Sequence, residues 1–84
     1  MASSDTDATY VRRVQDGDRA AFRVLLDRYE RMVFSITNRF SDTPADAEDL
    51  AQDIFMKAYR RLDRLRKPEQ FASWLYGIAL NHCR

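Results

Sequence analysis

The feature that most constrains the fold of this sequence is the spacing of its apolar residues between Arg19 and Phe40. They follow one another at steps of one, three or four, and they are Phe22, Leu25, Leu26, Tyr29, Met32, Val33, Ile36 and Phe40. Because an α-helix has about 3.6 residues per turn, this spacing places them on one face of a helix of about six turns. The opposite face is charged, so the sequence predicts a long amphipathic helix that packs against other elements.

Two more amphipathic helices are predicted further along the chain. Thr43 before Pro44 is typical of an N-cap followed by proline at the first helical position, and this helix should run to about Leu62. Pro68 can start a last helix in the same way, after a basic loop at 63–67. The apolar stripes are Ala47, Leu50, Ala51, Ile54, Phe55, Ala58 and Leu62 in the first of these helices, and Phe71, Trp74, Leu75, Ile78 and Ala79 in the second.

The N-terminal part is predicted to contribute one short helix. Residues 1–9 are almost free of apolar side chains and should form a flexible tail, while Tyr10–Gln15 can form the helix. Gly17 should end that helix in a left-handed conformation, and Asp18 should cap the next helix. We therefore expect an all-α domain over residues 10–84, with a short helix followed by three longer ones.

Composition limits the kinds of protein that this chain can be. Its 84 residues suffice for one small domain, and its single cysteine rules out an internal disulfide framework. The chain has no apolar run near the ~18 residues that span a membrane, and its N-terminus lacks the layout of a secretory signal. We expect a cytoplasmic protein without membrane insertion.

Charge is distributed unevenly, although the net charge is only +1. Residues 1–56 hold seven Lys and Arg against eleven Asp and Glu, a net charge of −4, and residues 57–84 hold seven against two, a net charge of +5. Such asymmetry indicates two partners of opposite character, or one acidic partner at the C-terminal end. Ordinary solvated helix faces would give the same pattern.

An acidic surface is predicted on the third helix. Asp46, Asp49 and Asp53 share one side of it, with Gln52 close by. They could form a docking surface for a basic partner, or a solvated face with no partner.

A basic and aromatic cluster follows in the sequence. Its cations are Lys57, Arg60, Arg61, Arg64, Arg66 and Lys67, and its rings are Tyr59, Phe71, Trp74 and Tyr76. Cations that neutralise phosphates beside rings on which unpaired bases stack are typical of single-stranded DNA binding. Phe71 and Trp74 also fit the core, whereas Tyr59 and Tyr76 fit either position. Asn81 has an amide that could read a base edge or simply lie at the surface.

Enzymatic chemistry finds no support in the sequence, and no cofactor or metal is expected. His82 adjoins Cys83, and consecutive helical residues point about 100° apart, so the two make a poor metal pair and a poor nucleophile–base pair. The sequence has no phosphate-binding loop, dinucleotide motif or C-x-x-C.

Three segments in order give this sequence a family resemblance. DAEDLAQDIFMKAYRRLDRL (46–65) resembles the region 2.2 helix and following loop of bacterial extracytoplasmic-function (ECF) sigma factors. GDRAAFRVLLDRYERMVF (17–34) is similar to region 2.1, and FASWLYGIALN (71–81) is similar to regions 2.3 and 2.4. The resemblance implies a three- to four-helix domain that acts in transcription initiation and is not an enzyme.

The resemblance also implies two sets of binding residues. The residues matching the family's site for the clamp helices of the RNA polymerase β′ subunit are Asp49, Gln52 and Asp53. The residues matching its site for flipped bases of the non-template strand of the promoter −10 element are Lys57, Arg61, Leu62, Asp63, Arg64, Leu65, Tyr76 and Asn81. Family members are commonly held inactive by anti-sigma factors, so such a partner is expected to bind the same surfaces.

The sequence departs from the family pattern in places. Gly77 stands where relatives often have a basic residue, and Lys67-Pro68 replaces a small or acidic cap. The family's second DNA-binding domain, region 4, is expected to be absent from this chain, which alone should not recognise a whole promoter. Two alternatives remain: a sigma-like helical protein-interaction regulator without promoter reading, and a helical metal-dependent or hydrolytic enzyme.

Overall fold

Four α-helices form most of residues 5–84, which are the part of the chain that this computed structural model describes. They are α1 (Asp7–Gln15), α2 (Phe22–Arg39), α3 (Pro44–Arg61) and α4 (Phe71–Cys83). Single 3₁₀ turns at Arg19–Ala21, Leu62–Arg64 and Pro68–Gln70 complete the connections, and the described residues contain no strand. The predicted all-α class, with one short helix and three longer ones, is confirmed. None of the four helices is both long enough and apolar enough to cross a membrane.

The ends of the helices follow local side-chain chemistry. The Thr43 hydroxyl accepts a hydrogen bond from the Asp46 amide at 3.1 Å, which confirms the predicted cap of α3. Gly17 has a φ of 109°, the left-handed conformation that was predicted after α1. Asp18 does not cap the next helix with its side chain, because its carboxylate is paired with Arg13 at 2.9 Å.

The start of α1 and the end of α2 differ from the sequence prediction. Thr6 caps α1, so Asp7–Thr9 are helical and the predicted tail over residues 1–9 is too long at its C-terminal end. Residues 1–4 of that tail lie outside the described residues. Phe40 follows the last residue of α2 and is half exposed, so it does not extend the buried stripe as predicted.

The core lies where α4 packs against the other three helices. Its side chains include Val11, Leu25, Val33, Ile36, Ile54, Ala58, Phe71, Leu75 and Ala79, which come from all four helices. Among residues 5–84, Thr37 is a polar residue that is completely buried, and its hydroxyl donates to the Ala47 carbonyl at 2.9 Å. That bond ties α2 to the first turn of α3 and satisfies a hydroxyl that would otherwise destabilise the core.

Polar contacts hold α1 on α2. Arg28 donates to the Asp7 carboxylate at 2.9 Å, and the Tyr29 hydroxyl donates to the other oxygen of Asp7. Burial and the bond to Asp7 raise the pKa of Tyr29 from 10.0 to about 12. The first turn of α1 is therefore fixed to α2 by its only carboxylate.

Candidate functional site

The predicted acidic surface is present on α3. Asp49, Gln52 and Asp53 are all exposed, and so is Asp46 in the first turn of the same helix. Because residues three, four and seven apart share one side of a helix, these side chains form one polar strip. The Asp53 carboxylate is 60% exposed and lies 3.9 Å from the Nε2 atom of His82 on α4. The strip is accessible to a partner, and its last residue also faces α4.

The residues predicted to bind DNA begin after this strip and extend past the end of α3. Arg61, Asp63 and Arg64 are exposed at the end of the helix and in the 3₁₀ turn after it. Lys57 is half-buried, and its Nζ atom lies 2.9 Å from Nδ1 of His82. This contact joins the last turn of α4 to α3. Asn81, which directly precedes His82 in that turn, is exposed.

The side chains of two residues assigned to DNA binding are buried. Leu62 is 1% exposed and Leu65 is 8% exposed, and both belong to the core. Their carbonyl oxygens accept hydrogen bonds from Nε2 of Gln15 at 2.9 and 3.1 Å. The side chains of Leu62 and Leu65 are therefore packed in the core, and the assignment of these two residues to DNA binding stays a prediction. The two leucines anchor the turn that carries Asp63 and Arg64, and the hydrogen bonds from Gln15 connect this turn to α1.

The aromatic residues of the cluster separate into buried and exposed rings. Phe71 is fully buried, and Trp74 lies half-buried beside it with ring centroids 5.9 Å apart. Tyr59 packs edge-on against Phe22 with centroids 5.1 Å apart. Tyr76 is 48% exposed on α4, which makes it the ring of this set most accessible to an unpaired base.

An apolar groove between α2 and α3 was not predicted from the sequence. It has a volume of about 960 Å³, and its apolar lining includes Phe22, Leu26, Phe34, Ala51, Phe55, Met56 and Tyr59. Glu30, Arg31, Glu48 and Arg60 stand among the polar lining residues, as does Gln52 of the acidic strip. Phe34 and Met56 line the groove but lie outside the predicted core stripes. Apolar residues off the core face are the sequence signal that could have indicated this groove. An exposed apolar groove with a charged rim is typical of a protein-binding surface.

Residues 5–84 show no arrangement of side chains that would bind a metal ion or activate the thiol. No group of three or more His, Cys, Asp and Glu side chains there is arranged to hold a metal ion. Burial raises the pKa of the Cys83 thiol, which lowers the fraction of reactive thiolate. His82 contacts Lys57 and approaches Asp53, and these contacts engage both of its ring nitrogens.

Comparisons of sequence point in one direction. Residues 25–84 match the family model described as sigma-70 region 2. The chain is 43% identical over 81 residues to the ECF RNA polymerase sigma-E factor of Escherichia coli K12, an alignment that covers 96% of this chain and 42% of that protein. It is 40% identical over 81 residues to the RNA polymerase sigma-H factor of Pseudomonas aeruginosa PAO1, with the same coverage. The chain thus spans about two fifths of the length of the curated relatives it matches.

Comparison of structures agrees with the sequences. The fold matches an NMR structure of an engineered region 2 of sigmaE in complex with GTAAAA, with a TM-score of 0.89 and 41% sequence identity. The match covers 99% of this chain and 86% of that one.

Proposed function

This chain belongs to the sigma-70 region 2 family and resembles its ECF members, and from that premise we propose that it acts in transcription initiation by docking on RNA polymerase and opening promoter DNA at the −10 element. The observation that carries the proposal is the match of nearly the whole chain to a region 2 domain solved in complex with GTAAAA. The polymerase would perform the catalysis, and the chain would act in the cytoplasm, where transcription takes place.

Exposed and half-buried residues at the end of α3, in the turn after it and on α4 suit a single DNA strand. Arg61, Arg64 and Lys57 supply cations for phosphates, and the exposed ring of Tyr76 supplies a stacking surface. The Asn81 amide and the Asp63 carboxylate can hydrogen-bond to base edges. Extruding a base costs a few kcal/mol of unstacking, so these contacts must together exceed that cost. Leu62 and Leu65 support the site by fixing its turn to the core.

The DNA proposal is tested with the oligonucleotide GTAAAA and a scrambled strand of the same composition at one fixed salt concentration. Fluorescence anisotropy should show tighter binding to GTAAAA, and Asn81→Ala should reduce this preference by about 1–3 kcal/mol. A conservative control is Asn38→Ala, because Asn38 is also exposed but lies on α2. Equal binding of both strands, unchanged by Asn81→Ala, would refute base reading.

The acidic strip suits the polymerase. Asp49, Gln52 and Asp53 present carboxylates and an amide to a basic partner, and charge complementarity of this kind chiefly increases association rate and specificity. Asp49→Arg should abolish binding to the isolated β′ clamp helices while helicity by circular dichroism stays unchanged. Asp16→Arg makes the same charge change at an exposed position after α1 and should bind normally. Unchanged affinity of Asp49→Arg would exclude this face as the docking site.

A second role, binding of a regulatory protein, is favoured by the groove between α2 and α3. We propose that an anti-sigma factor covers the groove together with the acidic strip, since Gln52 belongs to both. If the chain were only a protein-interaction regulator, the groove would be occupied but GTAAAA and its scrambled form would bind alike. The strand comparison described above therefore also distinguishes these two functions.

A further inference from the structure

His82 connects the two proposed binding surfaces. Its Nδ1 atom lies 2.9 Å from Nζ of Lys57, and its Nε2 atom lies 3.9 Å from the Asp53 carboxylate. Asp53 and Lys57 are one turn apart on α3, and His82 reaches both from the last turn of α4. The imidazole is 21% exposed, so it lies largely between the two helices.

The chemistry of these three groups fixes where the protons lie. A lysine ammonium can only donate, so Nδ1 of His82 must accept. The proton of the neutral ring then lies on Nε2, which faces the Asp53 carboxylate. The three groups therefore follow one another as the Asp53 carboxylate, the His82 imidazole and the Lys57 ammonium. The carboxylate favours the tautomer protonated on Nε2, in which Nδ1 can accept from Lys57.

We infer that His82 is a positioning residue that holds the Lys57 ammonium in place for the phosphate backbone of the DNA strand. The inference rests on the proposed function. A free lysine side chain loses rotamer entropy when it binds a phosphate, and this loss weakens binding. With one donor on His82, Lys57 keeps two donors for the strand, and part of its ordering is complete before DNA arrives.

The test compares His82→Ala, Lys57→Ala and the double variant for binding to GTAAAA by fluorescence anisotropy at pH 8. His82→Ala should weaken binding about two- to tenfold, as expected when one long side chain loses its ordering before binding. In the Lys57→Ala background the same change should have no further effect, because there is no ammonium left to hold. His82→Gln should recover most of the affinity, since its amide oxygen can accept from Lys57. Equal weakening by His82→Ala in both backgrounds would overturn the inference and show a general effect on the fold.

A spectroscopic measurement separates this inference from the proposed function. Nitrogen NMR of the His82 ring should show a bare Nδ1 and a protonated Nε2 in the wild type, and Lys57→Ala should shift the ring toward a mixture of tautomers. If wild type shows this signature but does not bind GTAAAA, the proposed function fails and the Lys57–His82 contact stands. If wild type binds, Lys57→Ala weakens binding and His82→Ala does not, the positioning role is refuted and the proposed function stands.

Discussion

Gly77 is a single residue whose replacement should stabilise the protein. It lies in the interior of α4 and its φ is not positive. Apart from its chain neighbours and the backbone of its own helix, no atom lies within 4 Å of the place where a Cβ would stand. Glycine in a helix interior costs about 0.5–1 kcal/mol relative to alanine, because it loses more backbone freedom on folding. We expect Gly77→Ala to raise the free energy of unfolding by that amount, measured by urea denaturation.

Gly17 provides the matched control for that prediction. It also has open space around its Cβ position, but its φ of 109° is one that other residues rarely adopt. Gly17→Ala should therefore destabilise the protein by about 1 kcal/mol or more. If both variants changed stability in the same direction, backbone conformation would not be the controlling factor.

Tyr29 should make stability depend on pH in the alkaline range. Burial, and to a smaller degree the bond to Asp7, raises its pKa to about 12, above the ordinary value of 10.0 that applies in the unfolded chain. Because the folded state holds the phenol proton more tightly, this contribution is complete below pH 10 and is lost as pH rises through about 12. Tyr29→Phe should flatten that part of the curve of unfolding free energy against pH. Tyr76→Phe, which changes an exposed tyrosine, should leave it as in the wild type.

At the scale of the element, α4 carries a buried ring and a half-exposed ring, and we expect them to differ in role. Phe71→Ala removes a fully buried ring and should cost about 3–5 kcal/mol of stability. Tyr76→Ala removes a half-exposed ring on the same helix and should leave the urea midpoint nearly unchanged while weakening GTAAAA binding by about 1–3 kcal/mol. A large loss of stability in Tyr76→Ala would show that this ring belongs to the core.

The positions of the helices were predictable where spacing of apolar residues and capping determine them. The stripe from Phe22 to Ile36 and the Thr43–Pro44 start of α3 depend on spacing and capping, which the sequence displays directly. The burial of Leu65 was missed because a leucine between arginines resembles a solvent-facing loop, and its anchor, Gln15, is fifty residues away. The Lys57–His82 contact was missed for the same reason, since it depends on how α4 crosses α3.

At the scale of the whole molecule, the groove and the charge pattern follow from packing of complete helices. The groove exists because α2 and α3 pack through their stripes and leave Phe34 and Met56 beside the contact. Helical periodicity alone marks these two as off the core face, and only the pairing of the helices shows that they share one concave surface. Most of the acidic and basic residues that the family resemblance singled out are exposed on α3 or in the turn after it, and their binding roles stay predictions. The resemblance could not show that Leu62 and Leu65 are buried.

The separation of charge predicts how salt will act on DNA binding. For single strands, the slope of the logarithm of the binding constant against the logarithm of salt concentration is about −0.7 for each phosphate neutralised. Arg61→Gln and Arg64→Gln each remove one exposed cation beside the proposed strand path and should each reduce the magnitude of the slope by about 0.7. Arg39→Gln makes the same change of net charge at the end of α2, within the acidic part of the sequence, and should leave the slope unchanged. If Arg39→Gln reduced the slope as much as the other two, net charge alone would govern binding and the basic end of α3 would have no special part in it.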